Sequence, residues 1–243
     1  DGLRQASKIA ILNANYLKES LKDYYTIKDV NENGRVAHEC IFDVRHFDDI
    51  TAEDVGMNTK DMEYVRMETK HVTGIPKSMG GSGDPSPVTA YGVYMGMKAC
   101  AKYCWQKDNL QGKKIVVQGV GNVGEYLVQY LSEEGADIYI SDISQEKLDE
   151  VQSKYNVTVI NNSDVLDFDM DIFAPCALGG ILNTSNIERL KCKIVCGGAN
   201  NQLEDEVRDS LHLKKREIVF APDFLVNSGG LINVYSEING YDK

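Results

Sequence analysis

The second half of the chain repeats one pattern, in which a short apolar run is followed by a longer amphipathic run. The apolar runs are KKIVVQGVG, ADIYISDI, VTVI, MDIFAPCA, KIVCGGAN and EIVFAPDF. Amphipathic segments such as NVGEYLVQYLSEEG and LEDEVRDSLHLKK lie between several of them. Because right-handed crossovers join such strands through helices, the strands become neighbours in a parallel sheet that helices cover on both faces. The pattern predicts an α/β fold with a doubly wound, mostly parallel sheet.

A glycine-rich turn, GVGNVG, follows the strand that ends at Gln118 and opens the next helix. In a GxGxxG turn the first glycine permits the tight bend, the second lets a pyrophosphate approach the backbone, and the third lets the helix pack closely on the strand. The helix N-terminus adds unpaired N–H groups and a positive dipole end. In this context the motif predicts a Rossmann-like dinucleotide site, whose cofactor-binding residues are Gly119, Gly121, Asn122, Val123 and Gly124.

An acidic residue, Asp142, ends the second strand of the pattern, 18 positions after Gly124. That spacing is close to the ~20 residues expected for the carboxylate that binds the adenine-ribose diol. The simpler alternative is a surface aspartate after a tight turn. A carboxylate at this point would repel a 2′-phosphate, so the sequence favours NAD over NADP, with Asp142 and the adjacent Ile143 as cofactor contacts.

The first part of the chain is less regular. Residues 3–22 place apolar side chains near helical spacing after Ser7, which predicts an amphipathic helix. VAHECIFDV is a β-prone run with no partner strand expected nearby. After the GGSGDPSP loop a helix is expected to run to about Trp105, because proline is tolerated in a first helical turn. Its apolar stripe consists of Val88, Tyr91, Met95 and Ala99.

Net charge and hydropathy limit the partners. The formal net charge of −11 argues against nucleic acid or an anionic membrane, since both require clustered Lys and Arg. No apolar run approaches the ~20 residues of a membrane span, and no charged-then-apolar leader opens the chain. These features predict a cytoplasmic protein, although the first residue is Asp and the true start is therefore open.

The six cysteines favour reduced thiols over disulfides or a metal. Several lie inside apolar strand or helix patterns, as is typical of buried thiols. Two pairs, Cys100 with Cys104 and Cys192 with Cys196, have CxxxC spacing and not the CxxC spacing of a structural zinc site. No metal is expected.

From about Ile50 to its end the chain resembles the leucine, valine and phenylalanine dehydrogenase family, and the leucine dehydrogenases in particular. The resemblance rests on ITAEDVG, KDMEYVRMETKHVTGIP, GDPSPVTAYGVYMGMKA, VVQGVGNVG, SDI, APCALGG, GGANNQL and APDFLVNSGGLINV, in family order. It implies an NAD-dependent oxidoreductase that converts a branched-chain L-amino acid to an iminium, which water hydrolyses to a 2-oxo acid and ammonia. It also implies that Asp54 is the proton-transferring carboxylate near the α-amino nitrogen. Without the resemblance, Asp54 would be interpreted as a solvated turn residue.

The same resemblance assigns further residues to the site. Near the nicotinamide and along the path of the cofactor it places Thr89, Cys176, Ala177, Asn200 and Asn227. The residues assigned to the substrate are Ala52, Asn201, Leu231 and Val234. Three of these four are apolar, which suits a branched aliphatic side chain better than a carboxylate. Each asparagine, taken alone, could equally be a turn former.

The first fifth of the chain resembles a different family. LRQASKIAILNANYLKESL and NGRVAHECIFDVR are similar to the C-terminal region of glycine decarboxylase, the pyridoxal-phosphate subunit of the glycine cleavage system. We therefore divide the chain into residues 1–49, a decarboxylase-like segment that is not an independent domain, and residues 50–243, a dinucleotide-binding domain. The family's substrate domain and its two catalytic lysines are not found before ITAEDVG, so activity of this chain alone is expected to be impaired.

Two alternatives to an active dehydrogenase remain open at this stage. One is a non-catalytic NAD-binding or oligomer-forming module, and the other is a fragment of a glycine decarboxylase. The expected partner is a small amino-acid substrate, and a homo-oligomer is left open.

Overall fold

The structure, a computed structural model, describes residues 2–23, 26–28, 30–36, 41–43, 63, 67 and 73–239. The chain divides into two compact units, one made of Asp1–Asp84 with Leu231–Lys243 and the other of Pro85–Gly230. The boundary predicted at residues 49 and 50 lies outside the described residues and stays a prediction. Among the helices that the structure describes, none is long and apolar enough to cross a membrane.

The first unit begins with helix α1, Gly2–Leu21, close to the helix predicted for residues 3–22. Strands β1, Thr26–Lys28, and β2, Ile41–Asp43, form an antiparallel pair with Ile27 opposite Phe42. The expectation that the VAHECIFDV run has no partner strand nearby is therefore wrong. The partner is a three-residue strand, and so short a run gives no clear β-pattern in the sequence.

The second unit is a six-stranded α/β sandwich. Its elements, followed by the helix that leaves it, are α2 Ser86–Trp105, β3 Lys114–Gln118, α3 Asn122–Glu133, β4 Asp137–Ser141, α4 Gln145–Lys154, β5 Thr158–Val159, β6 Ile172–Pro175, α5 Thr184–Arg189, β7 Ile194–Val195, α6 Glu206–Lys215, β8 Val219–Phe220, α7 Asp223–Val226 and α8 Gly229–Asn239. The strand order is β5-β4-β3-β6-β7-β8, and every neighbouring pair is parallel. The predicted Rossmann-like doubly wound fold is confirmed.

Strand β3 shows how the sheet is buried on both faces. Ile115 and Val117 pack into a core with α2 and α3, whereas Val116, between them, packs into a second core with Phe173 and Leu213. All three consecutive β3 residues are inaccessible to solvent. A strand with both faces covered carries a continuous apolar run, which is the sequence signal of a parallel sheet.

Helix α2 is apolar on more than one side. Its buried face consists of Ala90, Val93, Met97 and Ala101. The stripe noted in the sequence is partly exposed, with Val88 39%, Tyr91 49% and Met95 44% accessible. A helix that is apolar all round offers no single period, so the sequence could not show which stripe faces the sheet.

In the first unit, the glycine-rich loop of residues 73–83 is held by one carboxylate from α8. Glu237 Oε2 accepts hydrogen bonds from the N–H of Gly74 at 2.8 Å, the N–H of Ser82 at 3.0 Å and the hydroxyl of Ser82 at 2.7 Å. Burial alone would raise the pKa of Glu237, but these hydrogen bonds outweigh it and lower that pKa. The ionised carboxylate is therefore part of the loop's structure.

Candidate functional site

The candidate site lies at the carboxyl ends of the strands of the second unit. The strand order reverses between β3 and β6. From β3 the chain continues to β4 and β5 on one side of the sheet, and from β6 it continues to β7 and β8 on the other side. In open parallel sheets a crevice forms at such a switch point, and ligands bind there. All of the predicted cofactor residues lie in the second unit and are described by the structure.

The GVGNVG turn joins β3 to α3 through two close backbone approaches. Gly119 has a φ of 95°, and a Cβ on it would lie 2.7 Å from the nitrogen of Ala177. A Cβ on Gly124 would lie 2.0 Å from the carbonyl oxygen of Gly119. The Gly119 N–H also donates to the Ser141 carbonyl at 2.7 Å. Any side chain at either glycine would therefore push the turn away from its neighbours.

Gly121, the residue between these two glycines, faces open space. It precedes the first residue of α3. Among the described residues beyond its neighbours in the chain, a Cβ built on it would have one heavy atom within 4 Å, Lys147 Nζ at 3.9 Å. Asn122, exposed, and Val123, half-buried, form the first turn of α3. Free N–H groups, a helix dipole and a nearby ammonium group suit a phosphate.

The carboxylate of Asp142 is held in place at the end of β4. Its Oδ2 accepts the Val120 N–H at 2.8 Å, and its Oδ1 accepts the Ser144 N–H at 2.9 Å. Each carboxylate oxygen has two lone pairs, so both retain capacity for a ribose hydroxyl. The next residue, Ile143, is 86% exposed beside it.

Cys176 and Ala177 follow β6 directly, on the other side of the switch point. The Cys176 N–H donates to the Gln118 carbonyl at 2.7 Å, and the Cys176 Sγ accepts the Gly198 N–H at 3.4 Å. Burial raises the pKa of the Cys176 thiol to about 11. Ala177 is exposed. At neutral pH the Cys176 side chain is therefore a protonated thiol that packs against the turn.

Residues 197–201, here called the asparagine loop, follow β7. The Asn227 amide donates to Asn200 Oδ1 at 2.5 Å and lies 3.4 Å from the Gly198 carbonyl. Asn201 has a φ of 51°, and its N–H donates to Asp223 Oδ2 at 2.6 Å. The structure thus brings together the three predicted asparagines and adds an aspartate that the sequence did not indicate.

Thr89 lies in the first turn of α2. Its hydroxyl donates to the Pro85 carbonyl at 3.1 Å. A Cβ on Gly230 would lie 2.5 Å from the Thr89 oxygen, so the start of α8 passes close to this hydroxyl. Close packing fixes the hydroxyl at a defined position on α2.

The residues assigned to the substrate are only partly described. Leu231 and Val234 lie on α8 in the first unit and are half-buried. Ala52 and Asp54 lie outside the described residues, so their roles stay predictions. Within the described part of the chain, no group of three His, Cys, Asp or Glu side chains could hold a metal ion.

Comparison with known protein families identifies the family of this chain. Residues 80–145 and 139–241 match the family model described as Glutamate/Leucine/Phenylalanine/Valine dehydrogenase. The chain belongs to this family. Residues 6–68 match a second model, described as Glycine dehydrogenase, C-terminal domain. The resemblance noted in the sequence to the amino-acid dehydrogenases is confirmed, and the first part of the chain has a separate match.

Individual members of the family are similar over most of this chain. A leucine dehydrogenase of Thermoactinomyces intermedius is 49% identical over 194 residues, which is 80% of this chain and 53% of that protein. An L-tryptophan dehydrogenase of Nostoc punctiforme is 44% identical over 80% of this chain and 54% of its own length. The crystal structure of L-tryptophan dehydrogenase from Nostoc punctiforme superposes with a TM-score of 0.64 at 46% identity, covering 65% of this chain and 48% of that one. The chain therefore spans about half the length of these relatives.

Three residues near the site were missed by reasoning from the sequence. Lys147 lies beside Gly121, and Asp223 holds Asn201. Gln202 is inaccessible to solvent, and its amide donates to the carbonyls of Gly197 at 2.8 Å and Ala199 at 3.0 Å. Only Asp223 could have been noticed in the sequence. It precedes Asn227 by four residues, a spacing that places both side chains on the same side of a helix.

Proposed function

We propose that this chain provides the NAD-binding part of an amino-acid dehydrogenase that oxidatively deaminates a branched-chain L-amino acid. The observation that carries the proposal is the GVGNVG turn at the switch point of the sheet, with open space at Gly121 and the Asp142 carboxylate fixed at the end of β4. Leucine and tryptophan dehydrogenases among the relatives support an L-amino acid as the substrate, and the leucine dehydrogenases favour an aliphatic one.

The residues present suit NAD. The N–H groups at the start of α3, with Lys147 nearby, would hold the pyrophosphate, and Asp142 would accept hydrogen bonds from the adenine ribose. The second half of the sheet would then take the nicotinamide, with Thr89, Asn200 and Asn227 as polar contacts. When bound, NAD supplies the hydride acceptor for the carbon that carries the amino group.

The chain's own side chains would orient the substrate and move its protons. Asp54 would exchange a proton with the α-amino nitrogen as the neighbouring carbon changes hybridisation. The amide of Asn201 would hold the substrate beside the nicotinamide. Ala52, Leu231 and Val234 would form an apolar pocket for an aliphatic side chain. Because one methylene is worth only ~1–3 kcal/mol, leucine, isoleucine and valine would be weakly distinguished.

The surroundings proposed for the protein follow the same reasoning. We expect a cytoplasmic protein, because the net charge is −11 and the substrates are small and water-soluble. Nucleic acid and membrane surfaces are poor partners for so acidic a chain. Association with further copies of the chain is compatible with this proposal.

The proposal is tested by titrating the chain with NADH and with NADPH and following nicotinamide fluorescence. We expect NADH to bind at least about tenfold more tightly, because the Asp142 carboxylate repels a 2′-phosphate. Asp142→Asn removes the charge and should narrow this preference. Asp137→Asn, at the exposed start of the same strand, is the matched control and should leave the preference unchanged. Tighter binding of NADPH by the unmodified chain would refute the assignment.

A second measurement separates an enzyme from an NAD-binding module. Leucine and NAD are added to the chain, and NADH formation is followed at steady state. Turnover would show that this chain contains the groups needed for deamination. NADH binding without turnover would indicate a cofactor-binding module.

A further inference from the structure

The base of the asparagine loop is fixed by close packing. A Cβ on Gly197 would lie 2.2 Å from the Pro175 carbonyl oxygen, and one on Gly198 would lie 2.8 Å from Val123 Cγ1. The buried Gln202 amide ties the carbonyls of Gly197 and Ala199 from inside. This part of the loop therefore has one arrangement, because any displacement would create a clash or leave a buried carbonyl unpaired.

The tip of the loop is held on one side by the segment after β6: the Gly180 N–H donates to the Asn201 carbonyl at 2.8 Å, and a Cβ on Gly179 would lie 2.6 Å from the Asn200 carbonyl oxygen. Asn200 and Asn201 are exposed, and the Asn201 backbone is in the left-handed region with a φ of 51°. Asparagine tolerates this region, but it is not the favoured conformation of an L-residue. An exposed tip in that conformation requires contacts from outside the loop to stay in place.

Further contacts on the tip come from the segment after β8. Asp223 Oδ2 accepts the Asn201 N–H at 2.6 Å, and the Asn227 amide donates to Asn200 Oδ1 at 2.5 Å. Of these two bonds, only the one to Asp223 involves a charged group, and such bonds are roughly twice as strong as neutral ones. The bond from Asp223 is made to the backbone N–H of Asn201. It therefore fixes the directions in which the Asn200 and Asn201 side chains point.

We propose that Asp223 is a positioning residue, whose carboxylate holds the backbone N–H of Asn201 and so keeps the tip of the asparagine loop in its left-handed conformation beside the nicotinamide half of the cofactor site. This inference rests on the proposed NAD-binding function. Asp223 does not need to touch the cofactor, because it acts through Asn200 and Asn201.

The sheet topology predicts which part of the cofactor depends on Asp223. Strands β3, β4 and β5 form one mononucleotide half with the GVGNVG turn and Asp142, and strands β6, β7 and β8 form the other. The asparagine loop follows β7 and so belongs to the second half. Loss of the Asp223 contact should therefore weaken binding of the whole dinucleotide, but not of a ligand that occupies the adenosine half alone.

The test compares NADH with ADP in the full chain. ADP contains only the adenosine and diphosphate groups, and its affinity is measured by displacement or calorimetry. For Asp223→Ala we expect about a tenfold loss of NADH affinity, since a charge-assisted hydrogen bond is removed, and a change in ADP affinity of less than about twofold. Glu206→Gln, which removes an exposed charge from the first turn of α6, is the matched control.

Two further variants distinguish three possible roles of the Asp223 side chain: hydrogen-bond acceptor, negative charge and packing. Asp223→Asn keeps an acceptor oxygen of the same shape and should restore most of the NADH affinity, whereas Asp223→Leu should behave like Asp223→Ala. Equal losses in the asparagine, alanine and leucine variants would assign the effect to charge and overturn the proposal. Near-normal binding by the leucine variant would assign it to packing and also overturn it. Parallel loss of ADP affinity would indicate general damage to the fold, with the same consequence.

A measurement on the unmodified chain does not depend on any variant folding. The amide proton of Asn201 should resonate downfield in a ¹H–¹⁵N spectrum and exchange slowly, because it is held in a charge-assisted bond. Rapid exchange at Asn201 would overturn the proposal even if NADH binds. Failure of the unmodified chain to bind either NADH or ADP would instead refute the proposed function, and the amide measurement would still test the contact.

Discussion

The two halves of the sheet form the candidate ligand site by different means. In the half formed by β3, β4 and β5, the site is mostly backbone, with a glycine turn, a helix N-terminus and one carboxylate that two N–H groups hold. In the half formed by β6, β7 and β8, the site consists of the asparagine loop, which the side chains of Asp223 and Asn227 hold from 22 and 27 residues further along the sequence. A site made from backbone needs glycines at fixed spacing and so leaves a motif with a physical reason, whereas the asparagines of the second half were assigned only through the family resemblance.

The largest expected effect tests whether the first half depends on backbone contact. Gly124→Ala places a Cβ 2.0 Å from the carbonyl oxygen of Gly119, and neither backbone atom can move without displacing β3 or α3. We expect the free energy of unfolding to fall by about 3 kcal/mol, measured by urea denaturation.

The matched control is the neighbouring Gly121→Ala variant. Its Cβ would enter open space, so the free energy of unfolding should change by less than ~0.5 kcal/mol while NADH binding is weakened. Equal destabilisation by the two variants would show that the two glycines do not have separate structural and ligand roles.

A smaller effect tests whether the second half depends on buried side-chain bonds. Gln202→Met keeps the length of the side chain but leaves the carbonyls of Gly197 and Ala199 without their donor. We expect a loss of about 2 kcal/mol in the free energy of unfolding, the usual cost of unpaired buried polar groups.

Gln145→Met on the exposed side of α4 is the control for that change, and its effect on stability should be below ~0.5 kcal/mol. NADH affinity should fall more than ADP affinity in the Gln202 variant alone. A stable Gln202→Met protein with unchanged NADH binding would show that packing of the glycines fixes the loop without Gln202.

The smallest effect concerns the thiol that lies between the two halves. Burial raises the pKa of Cys176 to about 11, and burial also raises the pKa of Cys192, to about 12. The folded Cys176 holds its proton more tightly than an unfolded thiol does, so its contribution to stability is complete below pH ~8.5 and is lost as the pH rises towards 11. Alkylation should accordingly be slow at pH 8 and accelerate about tenfold per pH unit.

Adding NADH during alkylation turns this reactivity into a local test of the site. The ligand should slow the modification of Cys176 further and leave that of Cys192 unchanged, as measured by mass spectrometry of the digested protein. Protection of both thiols in equal degree would point to a general tightening of the fold and not to a ligand beside Cys176.

Much of the fold could be predicted from the sequence, because its signals are local. The alternation of apolar and amphipathic runs predicted the six parallel strands, and GVGNVG with Asp142 predicted the first half of the candidate site. The antiparallel partner of Ile41–Asp43 could not be predicted, since a strand of three residues shows no period. Gln202 was missed because its partners are backbone groups, and backbone groups have no identity in a sequence. The position of Asp223 four residues before Asn227 was visible, but its backbone partner at Asn201 was not.

The glycines of α2 connect two parts of the site. A Cβ on Gly92 would lie 2.5 Å from the Val226 carbonyl oxygen, and one on Gly96 would lie 2.5 Å from Val226 Cγ1. The α7 segment that holds the asparagine loop therefore rests directly on the helix that carries Thr89. Thr89 and Asn200 are more than a hundred residues apart in the chain, but both depend on α2 for their positions. A tilt of α2 would therefore displace Thr89 and Asn200 together.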